Sequence, residues 1–146
     1  MGAPQLRTAV GQDTATIRAL LESSGLPTSD LAASGPEFIV ACEDDSIIAT
    51  GALQRFGSTA LLRSVAVSAD RRGAGLGRII VQELERIASA ERIARLILLT
   101  QTAQRFFEHQ GYRAIERREV PQDVQRTEEF RSLCPISAVC MAKTLA

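Results

Sequence analysis

The chain is 146 residues long, sets 17 basic against 17 acidic residues and is 45% apolar. That length suits one domain with a real hydrophobic core, expected over residues 1–146. A net charge of zero gives neither nucleic acid nor an anionic membrane surface a reason to bind, and no apolar run approaches the roughly 20 residues of a membrane span.

Taken in order, Gln5–Val10 reads as a short first strand. Gly11–Ser24 carries apolar residues at helical spacing, opened by Asp13 or Thr14 and stopped by Gly25. Leu26–Gly35 is a loop, with room for a short helix capped by Ser29 or Asp30. Phe38–Glu43 and Ile47–Phe56 form a hairpin turned at Asp44–Asp45–Ser46. Gly57–Ser58 then turns the chain into a central strand, Thr59–Val67, so three successive strands make an antiparallel meander. A helix follows to about Ala90, with Ile80, Val81, Leu84, Ile87 and Ala88 on one stripe and Glu83, Glu85 and Arg86 facing water. Arg95–Thr100 is a buried strand reached by a parallel crossover. A short helix over Thr102–His109, a strand over Tyr112–Val120, a helix over Pro121–Ser132 and a strand over Ala138–Thr144 complete the chain.

Between the central strand and its helix lies SVAVSADRRGAGLGR, in which Arg72, Gly75 and Gly77 fit Arg/Gln-x-x-Gly-x-Gly. Glycines without a Cβ let the backbone approach an oxyanion, and a helix start directs unpaired N–H groups at the same point. A nucleotide P-loop would end in Gly-Lys-Ser/Thr, and no lysine stands here. A dinucleotide fingerprint would need a third glycine where Arg78 stands. The segment closely resembles the acetyl-coenzyme A signature of the GNAT acetyltransferases, and the order of elements resembles that family over the whole chain. A tight strand-to-helix turn that uses glycine for geometry alone is the plain alternative.

The resemblance implies an α/β (α+β) fold with a mixed, mostly antiparallel sheet flanked by helices. It implies acetyl-CoA as co-substrate, no metal, and a small-molecule amine as acceptor; it leaves room for a homodimer. In such folds the strands carrying Leu61–Val67 and Arg95–Thr100 splay apart, and the pantetheine arm lies in the gap. The cofactor-binding residues it implies are Val65, Ala66 and Val67 on the strand, then Arg72, Gly73, Ala74, Gly75, Leu76, Gly77 and Arg78 around the glycine loop, then Thr100 and Phe106.

Acetyl transfer needs a deprotonated amine, a stabilised oxyanion and a protonated or tolerated leaving thiolate. The family continues after the second strand as Asn-x-x-Ala-x-x-Phe-Tyr, with the Tyr protonating the thiolate. Here Ala103 and Phe106 match, Thr100 replaces the Asn, and Phe107 replaces the Tyr and has no proton to give. The catalytic residues are therefore not named by the sequence. Tyr112, the only tyrosine, suits core packing, and His109, the only histidine, suits a solvated helix end. Water or Glu43 are the candidates for general base.

Arg63 is a charge within an apolar run, and such a residue needs a partner or an opening. Alternation places it on one face with Val65 and Val67, opposite Leu62, Ser64 and Ala66. Facing a cleft it would hold a carboxylate bidentately; otherwise it would pair internally with Glu37 or Glu43, or snorkel to the surface. The LRSVAV run also resembles glutamate-acetylating N-acetyltransferases. The stretches Gly25–Leu31 and Ser132–Met141 resemble the arsenic-resistance N-acetyltransferase subgroup, related to enzymes that acetylate arsinothricin and phosphinothricin. Protein amines as acceptors, or an acetyl-CoA sensor without turnover, are the alternative functions. The three cysteines, Cys42, Cys134 and Cys140, are odd in number and form no disulfide framework. Cys134 and Cys140 are soft enough for trivalent arsenic, although their spacing matches no known ligand pattern. With no secretory or myristoylation signal read at the amino terminus, a reducing cytoplasm is the expected location.

Overall fold

A seven-stranded sheet, in the order β1-β2-β3-β4-β5-β7-β6, organises the computed structural model. Residues 4–26, 28, 36–127, 130 and 138–145 are described. Strand β1 is Gln5–Thr8, β2 Pro36–Glu43, β3 Ser46–Phe56, β4 Thr59–Val67, β5 Arg95–Thr100, β6 Arg113–Ala114 and β7 Val139–Thr144. The helices are α1, Thr14–Ser23, α2, Leu76–Ala90, α3, Gln104–His109, and α4, Gln122–Gln125.

The β2–β3–β4 meander forms as its turns dictate. Asp44 and Asp45 both take positive φ, 49° and 67°, as a two-residue hairpin turn twisted to suit its strands requires. Every strand pairing is antiparallel except that of β4 with β5, which are joined by α2 as a crossover. On one face α2 buries Ile80, Val81, Leu84 and Ala88 against Leu53, Leu62, Leu96 and Leu98, and Phe107 of α3 joins them. On the other face, Ile17, Leu20 and Leu21 of α1 pack on Val40 and Ala66. Val120, Val124 and Phe130 cover Leu61 and Ile97 on a second cluster.

Gly51 shows how tightly α2 sits on the sheet. A Cβ there would come within 2.5 Å of Ile80 Cγ2 and 2.9 Å of Leu84 Cδ1. Only glycine lets β3 pass under the helix at this point.

Several elements differ from the sequence expectation. The strand expected over Tyr112–Val120 is only Arg113–Ala114, because β7 pairs with β6 at just those two residues, and a 3-10 turn occupies Arg117–Glu119. The helix expected from Pro121 spans Gln122–Gln125, and part of the expected range lies outside the described residues. Glu85 does not face water: it receives the Tyr112 hydroxyl at 2.9 Å and Lys143 Nζ at 3.1 Å. The loop helix placed near Ser29 or Asp30, the Ser132–Ser137 stretch and Cys134 fall outside the described residues. Among the described residues, no helix is long and apolar enough to cross a membrane.

Candidate active site

The ladder between β4 and β5 holds only Thr59–Arg95, Ala60–Leu96 and Leu61–Ile97. Beyond Leu61 the two strands part, while β5 stays paired with β7 as far as Thr100. The cause lies in β4 itself. Thr50 stands opposite Ala66 and Ala52 opposite Arg63, so the single residue Gly51 faces both Ser64 and Val65. This is a β-bulge, and Ser64 makes it with a φ of 59°. A bulge bends its strand and increases the local twist, which turns the end of β4 away from β5.

The bulge also corrects the expectation for Arg63. Leu62, Val65 and Val67 lie on the α2 face, whereas Leu61 and Ala66 belong to the two clusters on the opposite face. Arg63, next to Leu62 and paired with Ala52, therefore shares a face with Leu61 and Ala66 and not with Val65 and Val67. One extra residue reverses alternation for everything after it. Arg63 is nonetheless a wall of the gap. The parted strands enclose a cleft of about 720 Å3 whose lining includes Leu62–Val67 of β4, Leu98–Thr100 of β5 and Ser23–Leu26 after α1.

Arg63 is 3% exposed. Its Nε donates to Ser64 Oγ at 3.3 Å, and an η nitrogen donates to Gln54 Oε1 at 3.5 Å. The two carboxylates that the sequence offers as its partners pair with other arginines: Glu37 meets Arg55 at 3.3 Å, and Glu43 pairs with Arg71.

Of the expected cofactor residues, Val65, Ala66, Val67, Arg72, Gly77, Thr100 and Phe106 all line the cleft. Gly73, Ala74, Gly75, Leu76 and Arg78 are not among its lining residues; they sit in the loop and first turn of α2 that adjoin Arg72 and Gly77. Gly73 and Gly75 take φ of 85° and 82°, and a Cβ on either would meet nothing within 4 Å. The loop thus presents backbone to open space at the start of a 15-residue helix. Gly77 serves differently, since a Cβ there would press 3.3 Å from Phe106 Cζ. Its lack of a side chain lets α3 close over the loop. The Leu76 side chain is buried in the core, which leaves only its backbone for a ligand. Arg72 donates from Nε to the Val67 carbonyl and from an η nitrogen to Ser24 Oγ, each at 3.3 Å.

Thr100 caps the turn into α3, its Oγ accepting the Ala103 N–H at 3.0 Å. Phe107 packs edge-on to Tyr112 with ring centroids 5.6 Å apart. Tyr112 is buried on the α2 face and does not line the cleft. Burial first, then the Glu85 carboxylate, pushes its hydroxyl far above the ordinary tyrosine range. His109 is exposed at the end of α3. Among the described residues, the only ionisable side chains lining the cleft are Arg63 and Arg72. Those residues bring the cleft two guanidinium groups and no side-chain carboxylate or imidazole.

Cys140 is buried in β7, and burial pushes its thiol up to about 11. A protonated thiol is a poor soft-metal ligand. Among the described residues, no group of three or more His, Cys, Asp or Glu could hold a metal ion.

Ser23, Ser24, Ser64, Gln101 and Thr102 line the cleft but are not among the residues expected there, whereas Gly25 and Leu26, which also line it, begin the Gly25–Leu31 stretch that the sequence sets apart. For Ser64 a signal existed: a small polar residue interrupts an apolar strand, and a glycine stands in the partner strand. The α1 end gives no such signal, because tertiary packing alone brings it to β4.

Comparison with known proteins agrees with this geometry. A family described as "Acetyltransferase (GNAT) domain" matches residues 34–114. An uncharacterized N-acetyltransferase of Chlorobaculum tepidum is 34% identical over 88 residues, covering 58% of this chain and 54% of that protein. The match thus spans about half the length of that curated relative. Among solved structures, Rv2747 from Mycobacterium tuberculosis, in complex with CoA and NLQ, superposes with a TM-score of 0.81 at 25% identity, over 98% of this chain and 100% of that one. N-acetylglutamate synthase from Neisseria gonorrhoeae, complexed with coenzyme A and N-acetyl-glutamate, shares the fold with a TM-score of 0.86 at 19% identity, over 100% of this chain and 36% of that one.

Proposed function

The chain belongs to the GNAT acetyltransferases, and on that footing we propose that it moves an acetyl group from acetyl-CoA to the amine of a small, anionic acceptor. An amino acid of the glutamate, arsinothricin or phosphinothricin type fits that description. The observation that carries the reading is the cleft opened by the Ser64 bulge, flanked by an open glycine loop and lined by Arg63 and Arg72 as its described ionisable groups. Two solved structures of this fold hold CoA, one of them together with N-acetyl-glutamate, which supports the choice of both substrates.

The residues present fit acetyl-CoA. Gly73 and Gly75 leave a cradle that side chains would fill, and the N–H groups of the first turn of α2 suit a pyrophosphate. The parted edge of β4 presents backbone groups where an amide-bearing arm lies as a further strand. When bound, acetyl-CoA supplies an activated acyl thioester. The chain positions it along β4, and Phe106 and Phe107 exclude water from the α3 side.

Arg63 orients the acceptor by its carboxylate, so that the amine points toward the β4 edge. The amine loses its proton to water, since no described carboxylate or imidazole lines the cleft. The thiolate likewise takes its proton from solvent: Phe107 cannot donate, and the Tyr112 hydroxyl is committed to Glu85. The same lack of an acid among the described lining residues keeps an acetyl-CoA sensor without turnover as the second reading.

Release of CoA, followed with a thiol reagent and no added metal, tests the proposal with glutamate, arsinothricin, phosphinothricin and their decarboxylated amines. A desolvated bidentate pair contributes on the order of 1.5–3 kcal/mol, so Arg63→Gln should raise the acceptor KM by roughly ten- to a hundredfold. Preference of the wild type for decarboxylated amines would overturn the acceptor class. No turnover with any amine, despite CoA binding, would favour the sensor.

A further inference from the structure

We infer that Lys143 is a positioning residue: clamped by Glu85, it holds the end of α3 and so fixes the aromatic wall against which CoA binds. The inference rests on the cofactor reading above and deepens it.

A helix of six residues such as α3 does not stand by itself, so its place is set by what holds its two ends. Thr100 Oγ holds the first turn through the Ala103 N–H. At the other end Lys143 Nζ, reaching across from β7, donates to the Gln110 carbonyl at 2.8 Å, where a cation also meets the negative end of the helix. The same ammonium donates to both Glu85 oxygens at 3.1 Å, and Glu85 stands on α2. One side chain thus ties α2, α3 and β7 together. Among the 17 basic residues it is the only lysine. A compact ammonium turns its donors to a carboxylate and a carbonyl at once, where a planar guanidinium presents a fixed fork. Gly111 leaves it room: at a φ of 96°, a Cβ there would stand 3.2 Å from Lys143 Cε.

From this clamp, aromatic contacts run unbroken to the cleft. Lys143 Nζ lies 5.6 Å from the centroid of the Tyr112 ring. Tyr112 and Phe107 meet edge-on at 5.6 Å, and Phe107 and Phe106 at 5.0 Å. Phe106 lies against Gly77, and both phenylalanines line the cleft. An α3 that shifts at Gln110 carries these rings away from the CoA site, because close packing transmits a displacement rather than absorbing it.

The test is calorimetric titration with CoA, beside chemical denaturation, on Lys143→Met, on Lys143→Met with Glu85→Gln, and on Tyr112→Phe. Methionine keeps the length and apolar body of lysine but makes neither bond. Lys143→Met should raise the CoA Kd about tenfold. It should also lower stability, since Glu85 is left partly buried without its cation. Adding Glu85→Gln removes that stranded charge and should restore stability while the CoA Kd stays raised, because Gln110 remains untethered. Tyr112→Phe keeps both Lys143 bonds and should keep the CoA affinity. If Lys143→Met alone does not fold, the double variant decides. Wild-type CoA affinity in a folded Lys143→Met protein, or affinity that returns together with stability in the double variant, would overturn the inference. If the wild type binds CoA and Gly75→Asp weakens it while the Lys143 variants do not, this inference fails and the cofactor reading stands. If the wild type does not bind CoA, both fail.

Discussion

Replacing Gly75 separates the cradle from the fold. Gly75 immediately precedes α2 with φ of 82°, and a Cβ would meet nothing within 4 Å. A side chain there therefore costs only the left-handed backbone, about 1–2 kcal/mol for an ordinary residue. Aspartate recovers part of that at a helix start, about 0.3–1 kcal/mol, so Gly75→Asp should lose about 1 kcal/mol or less. For a protein of this size that is a fall in Tm of roughly 2–5 °C. Binding should respond far more strongly. A carboxylate about 4 Å from one phosphate charge costs about 4 kcal/mol at an effective dielectric of 20, reduced by salt to about 2–3 kcal/mol. The Kd for CoA should rise on the order of a hundredfold, and by less at high salt. Gly75→Ala carries the backbone cost without the charge and should retain most of the affinity. Calorimetric titration with CoA, beside thermal unfolding, reads both quantities. Near-wild-type affinity in a folded Gly75→Asp protein would refute the assignment of this loop to the phosphates.

Phe107→Tyr should fold and retain or raise the rate of CoA release, since it adds a donor where the family usually has one; a tenfold loss with CoA binding intact would show that the phenyl ring shapes the cleft. Tyr112→Phe removes the bond to Glu85 and should lower stability by about 1 kcal/mol in chemical denaturation while leaving kcat unchanged; a drop in kcat would return Tyr112 to the mechanism. Asp13 accepts from Arg7 at 2.8 and 3.1 Å and from the Val10 N–H at 2.7 Å, which hold its carboxyl down at about 2. Because the folded value lies below the ordinary 3.8, this stabilisation is complete above that pH and is lost as pH falls toward about 2. Melting curves of the wild type and Asp13→Asn should therefore converge over that window, and parallel curves would contradict the coupling.

Much of this molecule is determined locally. The period of Ile80, Val81, Leu84 and Ala88 specifies α2 and its buried face, because helical spacing is a property of neighbouring residues. Asp44–Asp45 specifies a hairpin in the same way, and the glycines after Asp70 specify an open loop at a helix start. That Phe107 brings no acid is likewise plain from its side chain. Alternation along β4 failed at Ser64, because a bulge depends on how two strands share residues across the ladder, and that accounting is invisible within one strand. The extra residue puts Arg63 on the face opposite to Val65 and Val67. The brevity of β6, the withdrawal of Glu85 from water toward Tyr112 and Lys143, and the arrival of Ser24 beside Arg72 were decided in the same way. Each depends on groups far apart in the chain, whose meeting is set only when the layers pack.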